Sequence, residues 1–193
     1  MPEDERFARL VALACHDLRT PLATVYGFAR TLAHTDLEAP ADRYVEMIEA
    51  ASDQLDMLIE ELAILARIEA RRFDPQLTDV DSLQLAREAA AELEEGRVEV
   101  AGSGEAVRVP EKEMRRALGQ LARAASRHGG LDSVSLTVDG ATVTIAPVTR
   151  ASAPVLLAEE PRDLGAASAT TLIRALGGSV EVDGDRLVAR LPS

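Results

Sequence analysis

The sequence predicts an α+β chain in two parts. Residues 1–72 form a long helical hairpin that pairs with a second copy into a four-helix bundle, and residues 73–193 form an α/β sandwich, a mixed sheet covered on one face by helices. Apolar residues step by three and four along two long stretches in the first part, the spacing of one helix face. Past Phe73-Asp74-Pro75 the pattern changes to short β-branched runs alternating with helical stretches. Hydrophobic residues make up 47% of the chain while aromatics are only 3%, so the core must be built from Ala, Leu, Val and Ile. A chain of 193 residues is long enough to bury such a core.

The first helix is read from about Phe7 to Leu32, with a seam at Phe7, Val11, Ala14, Leu18, Pro21, Val25, Phe28 and Leu32. Residues His34 to Asp42 read as a connection, punctuated by Thr35-Asp36 and Pro40. The second helix runs from Ala41 to Arg71 on a seam of Ile48, Ala51, Leu55, Leu58, Leu62 and Leu65. A lone hairpin leaves such stripes half covered; pairing with a second copy, or packing on the chain's own C-terminal part, covers them. Phe73-Asp74-Pro75 ends the helix and opens a linker.

In the second part, Asp81–Glu94 reads as a helix. Strands at Arg97–Ala101 and Ala106–Val109 are expected to be separated by Gly102-Ser103-Gly104. Pro110–Arg127 is helical and stops at Gly129-Gly130. Ser133–Val138 and Ala141–Ala146 flank the hairpin signal Asp139-Gly140. A helix over Gly165–Leu176 ends at Gly177-Gly178, and a last hairpin joins Ser179–Asp183 to Arg186–Leu191 through Gly184-Asp185.

The chemistry is concentrated in Cys15-His16-Asp17-Leu18-Arg19-Thr20-Pro21-Leu22. His16 falls roughly 200° round the helix from the seam residues Ala14 and Leu18, and so points away from the seam. Arg19 and Thr20 follow one turn on along the same face, and Asp17 lies at its edge. Pro21 cannot donate to the Asp17 carbonyl, so a kink is expected just beyond His16. A neutral imidazole is nucleophilic near neutral pH, and an adjacent carboxylate can orient it and take up its proton. Taken alone, His16 is also readable as a solvated helix residue, and Arg19 as half of a surface salt bridge. His34 and His128 read as structural, and Cys15 as a small packed residue.

The run His16-Asp17-Leu18-Arg19-Thr20-Pro21-Leu22 resembles the phosphoacceptor motif of two-component sensor histidine kinases. The likeness continues through Gly27-Phe28 and the Leu65-Ala66-Arg67-Ile68-Glu69 ending, and covers residues 5–71. The resemblance implies His16 as the phosphorylated residue, Asp17 as its base, Thr20 as the holder of a water for dephosphorylation, and Arg19 as a phosphate-facing cation. It also implies response-regulator receiver domains as partners, a homodimer, and an upstream kinase as a further partner.

The order of elements after residue 73 resembles the Bergerat-type ATPase domain of the same kinases, yet the nucleotide chemistry departs from it at four places. The helix position that carries a magnesium-holding asparagine in the family corresponds to Ala124, which has no oxygen to offer a hard cation. The adenine-binding acid and its glycines are replaced by Ala146-Pro147-Val148-Thr149, and the phosphate lid is cut to Arg150–Arg162. The glycine turn before the last helix reads Asp163-Leu164-Gly165-Ala166, where a carboxylate caps the helix and repels phosphate. No cofactor is therefore expected, neither ATP nor magnesium, and no metal site.

The net charge of −12 argues against a nucleic-acid partner. One cysteine, no stretch that reads as a membrane span and no signal-peptide pattern lead to the expectation of a cytoplasmic protein with no membrane partner. The short stretch ahead of His16 suggests that any signal arrives through a partner. The leading expectation is a phosphotransferase that carries a phosphoryl group on His16 between receiver domains. An ATP-dependent kinase with an atypical nucleotide site, and a non-catalytic scaffold or phosphatase for a response regulator, are the alternatives.

Overall fold

The computed structural model describes Arg19 and residues 22–33, 41–93, 98–160 and 162–192. The chain divides into two compact units between Phe73 and Asp74. The first holds helix α1, residues 22–33, with Arg19 also helical, and α2, Ala41–Glu69. The expected connection His34 to Asp42 falls partly outside the described residues, and helix α2 already contains its end.

Among the described residues, the stripe that the hairpin buries coincides only in part with the seam read from the sequence: Leu62 packs into it, and Leu58 and Leu65 are half-buried. Leu22 and Ala29 are buried on α1, and Val45, Ser52 and Ile59 on α2, with Leu62 and Ala63 packed against the Leu22–Ile59 cluster. The seam residues Val25, Phe28 and Leu32 are exposed, as are Ile48 and Leu55, and Met47 joins them. Phe28 is 69% exposed. At 100° per residue, Val25, Leu32 and Phe28 lie roughly 60–120° round from Leu22. Each helix thus carries an apolar face too wide for one neighbour. The intrachain partner covers one edge of it and leaves the rest bare.

The second unit begins with β1 (Thr78–Asp81), an element absent from the sequence reading, followed by α3 (Ser82–Ala91), β2 (Val98–Gly104), β3 (Ala106–Val109) and α4 (Glu111–Gly129). Next come β4 (Val134–Gly140), β5 (Thr142–Ala146), α5 (Ala153–Leu156), α6 (Leu164–Ala175), β6 (Ser179–Asp183) and β7 (Arg186–Arg190). Strands β1 and β3 form a separate antiparallel ribbon, pairing Thr78 with Val109 and Asp81 with Ala106. The other five form one mixed sheet in the order β2-β4-β5-β7-β6, with β2 and β4 parallel and the remaining pairs antiparallel.

Strand alternation sets the layers. Val134, Leu136 and Val138 of β4, Val143 and Ile145 of β5, and Leu187 and Ala189 of β7 are buried. Beneath them lie Leu85, Ala86 and Ala89 of α3, Met114, Leu118 and Leu121 of α4, and Leu172 and Ile173 of α6. The opposite positions Thr137, Asp139 and Thr144 are exposed or half-buried, so helices cover one face.

Gly102-Ser103-Gly104 does not separate two strands; β2 runs through it and pairs as far as Gly104 with Gly140. Gly102 has φ +114°, and a Cβ there would come 1.9 Å from the Val138 carbonyl oxygen. The glycine signal marks a close backbone approach between neighbouring strands instead of a turn. Asp81 caps α3 by accepting from the Gln84 N–H at 2.9 Å, and Ser82 donates to the Gly140 carbonyl at 2.6 Å.

Candidate functional site

Of the four residues expected to carry phosphotransfer, His16, Asp17 and Thr20 lie outside the described residues, as does the expected kink at Pro21. Arg19 is described. It is helical and exposed, with its Nε 3.7 Å from the Asp56 carboxylate on α2. The pair is half-exposed on both sides, the kind that contributes roughly 0–1 kcal/mol and leaves the guanidinium able to swing to another anion. The salt-bridge reading of Arg19 therefore describes where the side chain rests in this structure.

The second candidate site is built from α4, α5 and α6. Helix α4 ends in Arg127, His128 and Gly129, with Gly130 in the left-handed conformation (φ +64°) as its C-cap. Ser126 fixes this end by donating to the Leu131 carbonyl at 2.7 Å. Ala124 is buried on the same helix, a methyl group at the position where the resemblance places a metal-holding asparagine. Helix α6 starts against α4 so closely that a Cβ on Gly165 would come 2.5 Å from Gln120 Oε1.

At that junction stands Asp163. Its Oδ1 accepts the Ala166 N–H at 3.0 Å and so caps α6, while its Oδ2 meets His128 Nε2 at 3.0 Å and accepts from the Arg127 guanidinium. The carboxylate is only 8% exposed, whereas the Arg127 side chain is 61% exposed. Burial alone would raise the Asp163 pKa, but the Ala166 N–H, His128 and Arg127 outweigh it and hold the carboxyl below its ordinary value. One anionic group thus fills the free N–H site of the helix start and draws the two basic residues at the end of α4 to itself. The sequence reading recognised the cap but not these partners; Arg127 and His128 lie 36 and 35 residues from Asp163. His128, which reads as structural in the sequence, meets a carboxylate from another element through its Nε2.

The segment between β5 and α6 is folded onto this junction. The Thr149 N–H donates to Ser152 Oγ at 3.0 Å, and Ser152 itself is buried. Val155 and Leu156 of the one-turn helix α5 are buried, and Thr170 of α6 donates to the Leu156 carbonyl at 2.6 Å. No acid follows β5; the Val148 N–H instead donates to the Asp185 carbonyl at 2.7 Å. Among the described residues no group of three or more His, Cys, Asp or Glu side chains converges to hold a metal ion. No described helix is long and apolar enough to cross a membrane.

Residues 8–71 match the His Kinase A (phospho-acceptor) domain. Full-length ShkA, solved in complex with AMPPNP, is 26% identical and superposes with a TM-score of 0.66 over 94% of this chain and 44% of its own. Residues 8–71 thus carry the phospho-acceptor domain of histidine kinases. Hybrid signal transduction histidine kinase L of Dictyostelium discoideum is 31% identical over 64 residues, 33% of this chain. The histidine kinase AdeS of Acinetobacter baumannii shares the fold, with a TM-score of 0.55 at 15% identity over 90% of this chain and 94% of that one. The chain spans 44% of the length of ShkA and 4% of the Dictyostelium kinase. A helical hairpin followed by a helix-covered mixed sheet is thus an architecture this chain shares with these histidine kinases.

Proposed function

We propose that this chain is a histidine phosphotransfer protein. A ring nitrogen of His16 would attack the phosphorus of an aspartyl phosphate on a receiver domain. The acyl phosphate P–O bond breaks, the receiver's aspartate leaves as a carboxylate, and Asp17 takes up the imidazole proton. The reverse step on a second receiver delivers the phosphoryl group. Thr20 would hold a water for the competing dephosphorylation, and Arg19, released from Asp56, would balance phosphoryl charge. The partners are response-regulator receiver domains and a second copy of the chain, which covers the bare apolar face of α1 and α2; an upstream kinase would charge the first receiver.

The observation that carries the no-ATP half of this reading is Asp163. The residues at the α4–α6 junction fit a magnesium-bound triphosphate poorly: the α6 start is occupied by a buried carboxylate, Arg127 and His128 are turned to it, and Ala124 presents a methyl group. Phosphoryl transfer from a nucleotide depends on positioned positive charge, and here that charge is already neutralised. The second reading, an ATP-dependent autokinase, is favoured by the likeness to ShkA, which was solved with AMPPNP.

Two labelling reactions on wild type and His16→Ala separate the readings. One supplies radiolabelled ATP with magnesium, the other phosphorylated receiver domains. Acid-labile label taken only from a receiver, and absent in His16→Ala, is the expected result. Label taken from ATP would overturn the phosphotransfer reading in favour of a kinase. If neither donor labels the protein, faster loss of receiver phosphate in its presence identifies a phosphatase, and unchanged loss a scaffold.

A further inference from the structure

A cavity of about 540 Å³ opens in the second unit, between the end of α3, the start of β2 and the C-terminal half of α4. Its volume lies in the range of roughly 300–1,000 Å³ typical of small-molecule sites. Leu93, Val98, Ala122 and Leu131 give it apolar walls. Arg123 and Arg127 add two guanidinium groups, on a chain whose net charge is −12. The acid on its described wall, Glu92, is already ion-paired with Arg115 at 2.8 Å. Among the described residues Arg123 has no hydrogen bond or ion pair, and Arg127 commits one nitrogen to Asp163, leaving other N–H groups of its five. Ser126, also on the wall, spends its proton on the Leu131 carbonyl.

Among the described residues the chamber joins apolar walls to two guanidinium groups, and that combination suits one kind of ligand. We propose that this cavity binds a small organic anion, a carboxylate or phosphate monoester carried on an apolar body. The body would displace water from the Leu93, Val98 and Leu131 walls, and the head group would take bidentate hydrogen bonds from Arg123, with Arg127 as the second cation. The site lies wholly within the second unit and would use that unit for recognition instead of nucleotide hydrolysis.

The test is a titration of the ¹⁵N-labelled full chain followed by amide chemical shifts. Octanoate, octyl phosphate and octyltrimethylammonium serve as probes with comparable bodies and different heads. Saturable shifts at Val98 and along residues 122–131 are expected from the anions and not from the cation. Arg123→Glu, on an exposed position that leaves folding intact, should weaken the anions about tenfold or more, the equivalent of about 1.4 kcal/mol; Arg123→Lys should keep part of the affinity. A response to only one anionic head would support the site and assign that head. The proposal fails if no saturable shift occurs at millimolar probe, if the cation shifts the same amides, or if Arg123→Glu binds unchanged. It fails equally if the shifts map to Val25, Phe28 and Ile48 on the hairpin.

Discussion

Replacing Asp163 separates a helix cap from a charge latch. In Asp163→Ala, α6 loses the acceptor for the Ala166 N–H, a loss of about 1 kcal/mol for an N-cap. The same change removes the charge-assisted bonds to Arg127 and His128. Because Arg127 is 61% exposed, its freed guanidinium returns to water at little cost, which limits this second loss to about 1–2 kcal/mol. The total is about 2–3 kcal/mol. Asp163→Asn keeps an equally good cap and gives up the charge, so it should lose only about 1 kcal/mol. Calorimetry of the full chain should therefore rank wild type above Asn above Ala, with steps of roughly 3 °C per kcal/mol for a chain of this size. The pH dependence has a fixed sign. The folded carboxyl titrates below its ordinary value, so its contribution is complete above about pH 4 and shrinks as the pH falls through the folded pKa. The gap between wild type and Asn should close in acid. An Asn variant as stable as wild type, or a gap that widens in acid, would refute the latch.

Two further substitutions test the architecture. Phe28→Glu places a charge in the bare apolar stripe of α1 and should shift a dimer toward monomer in light scattering, with helicity retained by circular dichroism; an unchanged mass would mean that this stripe is not the contact between copies. Gly102→Ala forces a side chain into a position with φ +114° and a Cβ 1.9 Å from the Val138 oxygen, and should cost upward of about 1–3 kcal/mol in urea unfolding. A near-neutral result there would mean that β2 and β4 separate easily.

Helix periodicity, the Gly184-Asp185 turn and the Gly129-Gly130 stop are local patterns, and the corresponding elements stand where the sequence put them; the β4–β5 hairpin turns one residue later than its Asp139-Gly140 signal, because Asp139 still pairs with Thr142. The errors arise where one signal has two physical causes. Glycines in Gly102-Ser103-Gly104 serve a close strand contact, and a linker-like Thr78–Asp81 becomes a strand only because β3 is there to pair with it. The short α5 has too few residues to show a period, and it holds because Leu156 is buried and Thr170 binds its carbonyl.

The sequence by itself determined the two-part division of character, the helix and strand types, and a phosphoacceptor motif whose chemistry follows from adjacent residue identities. It also placed Ala124 and Asp163 where the resemblance expects an asparagine and a glycine turn, because residue identity is legible without coordinates. Only the tertiary structure decided which apolar stripe each hairpin helix spends on its neighbour and which it leaves bare. It alone brought Arg127 and His128 to Asp163, and Leu93 and Val98 opposite Arg123, because these contacts join elements from distant parts of the chain and depend on how α3, α4 and α6 pack against one sheet.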